Sequence, residues 1–252
     1  MMNWINDLIV AVDEAGLRQD AYSIINTVGL IVALLIGLAN GLRLKVGIIA
    51  TIVTLLAYYF LPGPIITAIM YIEDGFRITG RQNGVYIFAY IPLIGYLVSI
   101  IVRRSYKQIW DVLMVIPIAR FVVARIACTI TGCCSGYPSE WGVYNPVVVE
   151  TLFPIQLLEA FVSLLILVYV FWREKKNKFI PDGKNVPIVL ISYGIARFFL
   201  EFLHNNEKMF LNVNLMQFHC VLMIIVGVIT LRIIRKSEKK FVEITDAVKH
   251  PQ

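Results

Sequence analysis

The chain has 252 residues, a mean hydropathy of +0.74, 58% hydrophobic residues and only 16% charged residues. Soluble domains usually carry about a quarter charged residues, so this composition excludes an ordinary soluble protein. It predicts one integral-membrane domain over residues 1–252. The net charge of +6 does not indicate a nucleic-acid partner, because the basic residues of a membrane protein mostly mark its cytoplasmic loops.

Residues 1–20 predict an amphipathic helix that lies on the membrane surface. Their apolar side chains recur at helical spacing, at Trp4, Ile5, Leu8, Ile9 and Val12. A frayed tail is the alternative. A secretory signal peptide is not expected, because the segment lacks a basic first region and carries several acidic residues.

Seven apolar segments follow, at about 21–41, 46–70, 84–102, 110–131, 152–172, 186–203 and 215–234. Each is long enough to cross a bilayer with some tilt. The sequence therefore predicts an all-α fold, a bundle of seven transmembrane helices. Pro62, Gly63 and Pro64 predict a break or an end within the second segment.

The distribution of lysine and arginine among the loops predicts the orientation. One set of alternate loops carries most of them: Arg43, Lys45, Arg103, Arg104, Lys107, Arg173, Lys175, Lys176, Lys178, Lys184, Arg232, Arg235, Lys236, Lys239 and Lys240. The opposite set carries Arg18, Arg77, Arg81 and Lys208. Since cytoplasmic loops are enriched in basic residues, we expect an outside N-terminus, a cytoplasmic C-terminus and a basic cytoplasmic tail over residues 235–252.

Three arginines, Arg120, Arg125 and Arg197, fall inside apolar segments. A charge in the bilayer interior costs roughly 2.5–3.5 kcal/mol on insertion scales, so such residues usually face a polar cavity and have a partner. Arg120 and Arg125 are five residues apart and need not share a helix face. Arg197 and Glu201 are four apart on one face and can form an ion pair.

Five polar residues occur at one predicted depth, in the outer half of the bundle: Arg125, Gln156, Glu159, Glu201 and Gln217. One interpretation is an ion-pair network that only fixes helix packing. The other is a polar pocket with an excess of arginine, which suits a phosphate because guanidinium binds phosphate in a bidentate manner. A phosphate site beside acyl chains predicts a phospholipid ligand.

A glycine-rich turn with two adjacent cysteines follows the fourth segment, at Gly132-Cys-Cys-Ser-Gly-Tyr-Pro138. The glycines allow a sharp exit from the helix. We expect Cys133 and Cys134 to be small buried packing residues. Zinc sites need spaced cysteine pairs, so no metal and no cofactor are expected. His204 is either polar surface or a catalytic base.

Four motifs resemble those of the prolipoprotein diacylglyceryl transferases, bacterial enzymes of the inner membrane. They are Arg125-Ile-Ala-Cys-Thr-Ile-Thr-Gly-Cys-Cys-Ser-Gly136, Phe153-Pro-Ile-Gln-Leu-Leu-Glu-Ala160, Tyr193-Gly-Ile-Ala-Arg-Phe-Phe-Leu-Glu-Phe202 and the downstream Gln217. Tyr22 matches the family's first-helix tyrosine less specifically.

The resemblance implies a seven-helix bundle that transfers the diacylglyceryl group of phosphatidylglycerol to the lipobox cysteine in the signal peptide of a prolipoprotein. Arg125 and Arg197 would hold the lipid phosphate, and Glu201 would orient Arg197. Residues implied to line the substrate site are Tyr22, Gly132, Gly136, Gln156, Glu159, Tyr193, His204 and Gln217. The partners would be phosphatidylglycerol, the prolipoprotein and membrane lipid, in the bacterial cytoplasmic membrane.

The sequence departs from the family at several positions, including two lost glycines at Ile91 and Pro92. Tyr90 replaces a histidine proposed as the base for the thiol, so Tyr90 itself becomes a candidate catalytic residue. Phe153 replaces a second histidine, and His204 replaces a common arginine. A divergent member that uses another acceptor, or that binds lipid without turnover, remains an alternative. A transporter is disfavoured because the sequence shows no internal repeat.

Overall fold

The computed structural model describes residues 3–73, 87–134, 136–204 and 214–249. Its helices are α1 (Asn3–Glu14), α2 (Arg18–Arg43), α3 (Ile48–Phe60), α4 (Pro62–Glu73), α5 (Ile87–Val102), α6 (Tyr106–Thr131), α7 (Ile155–Lys176), α8 (Asn185–Leu200) and α9 (Leu215–Lys249). A 3₁₀ turn, Glu201–Leu203, extends α8. Two strands, β1 (Pro138–Asn145) and β2 (Glu150–Leu152), lie between α6 and α7.

The described helices are those of a polytopic membrane protein. Six helical stretches are long and apolar enough to cross a bilayer: Arg18–Arg43, Ile48–Ile72, Tyr106–Thr131, Ile155–Lys176, Asn185–Leu203 and Leu215–Lys239. The third predicted segment corresponds to α5, which has 16 described residues and is shorter than a full span.

Several element boundaries differ from the predicted ones. The surface helix predicted over residues 1–20 ends at Glu14, and α2 begins at Arg18 after Gly16, whose φ is +68°. The fifth segment begins at Ile155 because Pro154 precedes it. The final helix continues to Lys249, so residues 235–249 of the predicted tail are helical. The break predicted near Pro62 is present, with α3 ending at Phe60 and α4 beginning at Pro62.

The hairpin of β1 and β2 was not predicted from the sequence. Its strands pair antiparallel, with Val143 opposite Leu152, Tyr144 opposite Thr151 and Asn145 opposite Glu150. The backbone N–H of Tyr144 donates to the Asn6 side chain over 3.0 Å, which attaches the hairpin to α1. The hairpin therefore links the first helix to the loop that follows α6.

Small residues on one stripe of α2 allow close helix packing. Gly29, Ala33, Gly37 and Gly41 are buried and recur every four residues. A Cβ atom on Gly29 would lie 2.9 Å from Val123 of α6. In a bilayer, helices associate through such close contacts, since burial from water cannot drive them together. This stripe holds α2 against α6, which carries Arg125.

A polar network fixes the α7–α8 connection at the end of the bundle opposite Arg125. The Asp111 carboxylate accepts backbone N–H groups from Asp182, Gly183 and Asn185, over 2.9, 2.8 and 3.0 Å. Arg173 binds Asp182 through both Nη atoms. Asp111 is thus a structural anchor that holds the start of α8 in place.

Candidate active site

Glu159 lies at the centre of a buried ionic cluster. Its side chain is 0% exposed, and it projects from the first turns of α7. The Nε atom of Arg125 lies 2.5 Å from Glu159 Oε2, and Arg197 Nη1 contacts Glu159 Oε1. Arg125 also stacks on Phe121, with its guanidinium carbon 4.3 Å from the ring centroid. One carboxylate therefore joins two arginines from different helices.

Arg197 makes further contacts on its own side of the cluster. Its Nη2 atom lies 2.6 Å from Glu201 Oε2, which confirms the ion pair predicted from the four-residue spacing. Glu201 Oε1 accepts a hydrogen bond from the Asn214 side chain over 2.7 Å. Glu201 therefore contacts the Nη2 atom of Arg197, while Glu159 of α7 contacts its Nη1 atom.

His204 completes the cluster beyond the end of α8. Its Nε2 atom lies 2.6 Å from Arg197 Nη1 and 2.9 Å from Glu159 Oε1. Burial, and then the positive charge of Arg197, lower the pKa of His204, so the ring is neutral near pH 7. A neutral ring either accepts from Arg197 at Nε2 or donates to Glu159 from that atom.

The charges of this cluster balance, contrary to the excess of arginine expected from the sequence. Two arginines and two glutamates meet, with His204 neutral. Burial of each charge is tolerated because each has an opposite partner within hydrogen-bond distance. An anion that enters this cluster would therefore compete with Glu159 for the guanidinium groups of Arg125 and Arg197.

The loop after α6 is held against this cluster by specific hydrogen bonds. Gly132 takes the left-handed conformation that ends α6, with φ of +74°, and its carbonyl accepts from Asn145 over 2.8 Å. Gln156 Nε2 donates to the Cys133 carbonyl over 2.6 Å. Gly136 pairs with His204 through a backbone bridge. A Cβ atom at Gly136 would lie 2.8 Å from the Phe153 carbonyl oxygen, so the close approach requires glycine there.

Other predicted site residues have structural contacts. Tyr193 is fully buried and stacks on Phe88, with ring centroids 5.1 Å apart. Gln217 and Asn214 exchange side-chain to backbone hydrogen bonds of 3.0 Å each, which is a capping box at the start of α9. Asn214, which was not predicted as a site residue, thus connects Gln217 to Glu201. The sequence pattern that marks this cap is Asn214 followed three residues later by Gln217, just before an apolar run.

Three residues considered from the sequence lie apart from the ion pairs. Tyr22 of α2 is half-buried, hydrogen-bonds Asn26 and lies near the thiols of the cysteines at the end of α6. Tyr90 of α5 packs against the apolar core, and no hydrogen bond or ion pair within the described ranges joins it to Glu159. Arg120 hydrogen-bonds Tyr58 instead, in agreement with its different helix face from Arg125.

The cluster residues fall within a stretch that matches a known family. A family model described as prolipoprotein diacylglyceryl transferase matches residues 10–233. The chain belongs to this family. All four charged members of the cluster, Arg125, Glu159, Arg197 and Glu201, lie in the motifs that carry the resemblance. The family motifs, far apart in the sequence, are therefore joined through Glu159 in this member.

Curated relatives resemble parts of this transferase-family chain. Phosphatidylglycerol–prolipoprotein diacylglyceryl transferase 2 of Clostridium perfringens (strain 13 / Type A) is 31% identical over 117 residues, 41% of this chain and 45% of that relative. The phosphatidylglycerol–prolipoprotein diacylglyceryl transferase of Clostridium tetani (strain Massachusetts / E88) is 27% identical over 170 residues, 61% of this chain and 65% of that relative.

A third relative, the enzyme of the same name from Chlorobaculum tepidum, is 36% identical over 96 residues, which cover 36% of this chain and 33% of that relative. The chain therefore spans less than two thirds of the length of each of these relatives.

Proposed function

We propose that this chain transfers the diacylglyceryl group of phosphatidylglycerol to the lipobox cysteine of a prolipoprotein, in the bacterial cytoplasmic membrane. Membership of the family and the names of the relatives support this activity. The observation that carries the proposal is the convergence of Arg125 and Arg197 on opposite oxygens of Glu159. The two guanidinium groups are thus spaced to bridge a single oxyanion.

The lipid phosphate would take the place that the Glu159 carboxylate occupies between the arginines. A phosphodiester also presents two unesterified oxygens on one centre, so it can accept from Arg125 and Arg197 in the same way. Glu201 would keep Arg197 in position during this exchange, since it contacts a different nitrogen. The displaced Glu159 would remain beside His204.

In the proposed reaction the acceptor sulfur attacks the glycerol carbon that bears the phosphate ester. A carbon–sulfur bond forms, the carbon–oxygen bond breaks, and glycerol phosphate leaves with the bonding electrons. The thiol proton passes to a base of the site. Fixed cations beside a leaving phosphate stabilise the charge that develops on it, which is usually the largest catalytic contribution.

The test uses the full-length protein in nanodiscs that contain phosphatidylglycerol, with a peptide that carries a lipobox cysteine. Thioether-linked diacylglycerol on the peptide, detected by mass spectrometry, is the expected product. Arg125→Gln and Arg197→Gln should each lower the rate by about 10²–10³, the usual loss for a charge-stabilising group. Arg120→Gln is the matched control, because it removes an arginine from the same helix that contacts Tyr58 instead.

A rate that falls equally in Arg120→Gln and Arg125→Gln would contradict the assignment of the site. The alternative function, phospholipid binding without transfer, is favoured by one observation: Tyr90, at the position of the family's histidine, packs against the apolar core. Lipid that co-purifies in an Arg125-dependent manner, with no product on any lipobox peptide, would support this alternative and refute the transferase proposal.

A further inference from the structure

The end of α6 brings two cysteines together through its backbone geometry. The N–H of Cys133 donates to the Cys128 carbonyl over 3.2 Å, and the N–H of Gly132 donates to the Thr129 carbonyl over 3.3 Å. These bonds, with Gly132 at positive φ, form a Schellman motif. In that motif the side chains at the positions of Cys128 and Cys133 contact one another, usually as an apolar pair. Here both are thiols.

A side-chain contact agrees with the backbone geometry. The Cys133 sulfur lies 3.7 Å from the Cys128 carbonyl oxygen. Cys128 is buried, Cys133 is half-buried and Cys134 is exposed. Among the described residues no group of three or more His, Cys, Asp or Glu side chains is arranged to hold a metal ion.

We propose that Cys128 and Cys133 are a redox-modification site that takes a reversible disulfide. With a peroxide as oxidant, the Cys133 sulfur attacks one oxygen, the O–O bond breaks and a sulfenic acid forms as water leaves. The Cys128 sulfur then attacks the Cys133 sulfur, so an S–S bond forms, the S–O bond breaks and a second water leaves. Two thiols lose two electrons and two protons in total, and the peroxide is reduced to two waters.

The two cysteines lie close in the structure to residues of the ionic cluster. Cys128 is one helical turn beyond Arg125, and the carbonyl of Cys133 accepts from Gln156, which is one turn before Glu159. Oxidation would close a covalent ring around the end of α6 and fix the position of this carbonyl. The proposal does not depend on diacylglyceryl transfer, because the chemistry involves only thiols of this chain and an external oxidant.

The test compares full-length variants that each keep two of the three neighbouring thiols. All carry Cys220→Ser, which removes the remaining described cysteine on α9. Cys134→Ser keeps the proposed pair, whereas Cys133→Ser and Cys128→Ser each destroy it and keep the exposed Cys134. Each protein is treated with hydrogen peroxide in detergent, alkylated and weighed intact, before and after reduction with dithiothreitol.

The Cys134→Ser protein should lose two alkylatable thiols and two hydrogen atoms, with peptide mapping to Cys128–Cys133, and dithiothreitol should restore both thiols. The other two variants should retain alkylatable thiols or form sulfinic acid. The proposal is overturned if Cys134→Ser keeps both thiols. It is also overturned if Cys133→Ser forms a disulfide as fast as Cys134→Ser does, because the exposure of the thiol and not the geometry of the helix end would then determine the rate. A monodisperse elution profile for every variant confirms that loss of folding does not cause the differences.

Discussion

Replacement of Glu159 by glutamine should destabilise the protein strongly. Glu159 is fully buried and contacts Arg125, Arg197 and His204. Glu159→Gln changes the net charge of the cluster from zero to +1 and leaves Arg125 without its carboxylate partner. Removal of one partner from a buried ion pair costs about 3–5 kcal/mol, because the other charge stays buried and uncompensated.

Thermal unfolding in detergent measures this loss. For a protein of this size 1 kcal/mol corresponds to about 2–4 °C in Tm, so a decrease of about 6–20 °C is expected. The double variant Glu159→Gln with Arg125→Gln restores a neutral cluster. Its loss should be smaller than the sum of the single losses by about 0.5–3 kcal/mol. Glu150→Gln, at an exposed position of β2, should change stability by less than about 0.5 kcal/mol.

Two results would refute this reasoning. A loss below about 1 kcal/mol in Glu159→Gln would mean that the arginines are not held by this carboxylate in the protein. Strict additivity in the double variant would mean that Arg125 and Glu159 do not interact energetically.

Two further predictions concern the loops that position the helices. Gly132→Ala should lower stability by at least about 1–2 kcal/mol in the same unfolding assay, because φ is +74° and the new Cβ would lie 2.6 Å from Asn145 Oδ1. The control is Gly63→Ala, where the new Cβ would meet no atom within 4 Å. Equal losses of stability in the two variants would contradict the prediction. The pKa of Asp182 is lowered overall: partial burial raises it, but the hydrogen bonds from Arg173 and the neighbouring positive charge outweigh burial. A lowered folded-state pKa stabilises the fold above the ordinary pKa of 3.8, and this stabilisation is lost as pH falls below that value. The Tm difference between wild type and Asp182→Asn should therefore shrink on acidification below pH 3.8. A constant Tm difference across this range would contradict the prediction.

Local spacing in the sequence was sufficient to predict some of the site. Arg197 and Glu201 are four residues apart, and the ion pair expected from that spacing is present. The lengths of the apolar segments similarly predicted helices, although the second segment contains two, α3 and α4, and several helix ends differ. These features depend on the geometry of a single helix, which the order of residues determines directly.

Contacts between helices could not be predicted in the same way. The sequence placed Arg125, Glu159 and Glu201 at one depth but gave no information on which residues contact Glu159, so an excess of positive charge was expected where the charges balance. Gln217 was interpreted as a lining residue, whereas its described bonds include the capping of α9 through Asn214. Partner choice depends on the rotation of each helix, which tertiary packing determines.

The hairpin was missed because the segment after Gly136 was interpreted only as a turn. Its strands are short, and β1 has an irregular register between Pro138 and Val143, so the alternating pattern that marks a strand is weak. Tyr90, the base candidate at the position of the family's histidine, packs against the apolar core, whereas His204 lies against Glu159.

The bond between Asn6 and Tyr144 has a practical consequence for anyone who prepares this protein. It connects α1 to β1, and the next residue along the strand, Asn145, holds the carbonyl of Gly132 at the end of α6. The first helix is therefore connected through two hydrogen bonds to Gly132 at the end of α6, the helix that carries Arg125. An affinity tag or a surface tether is better attached at the opposite terminus, and Asn6→Ala offers a way to disconnect the two regions.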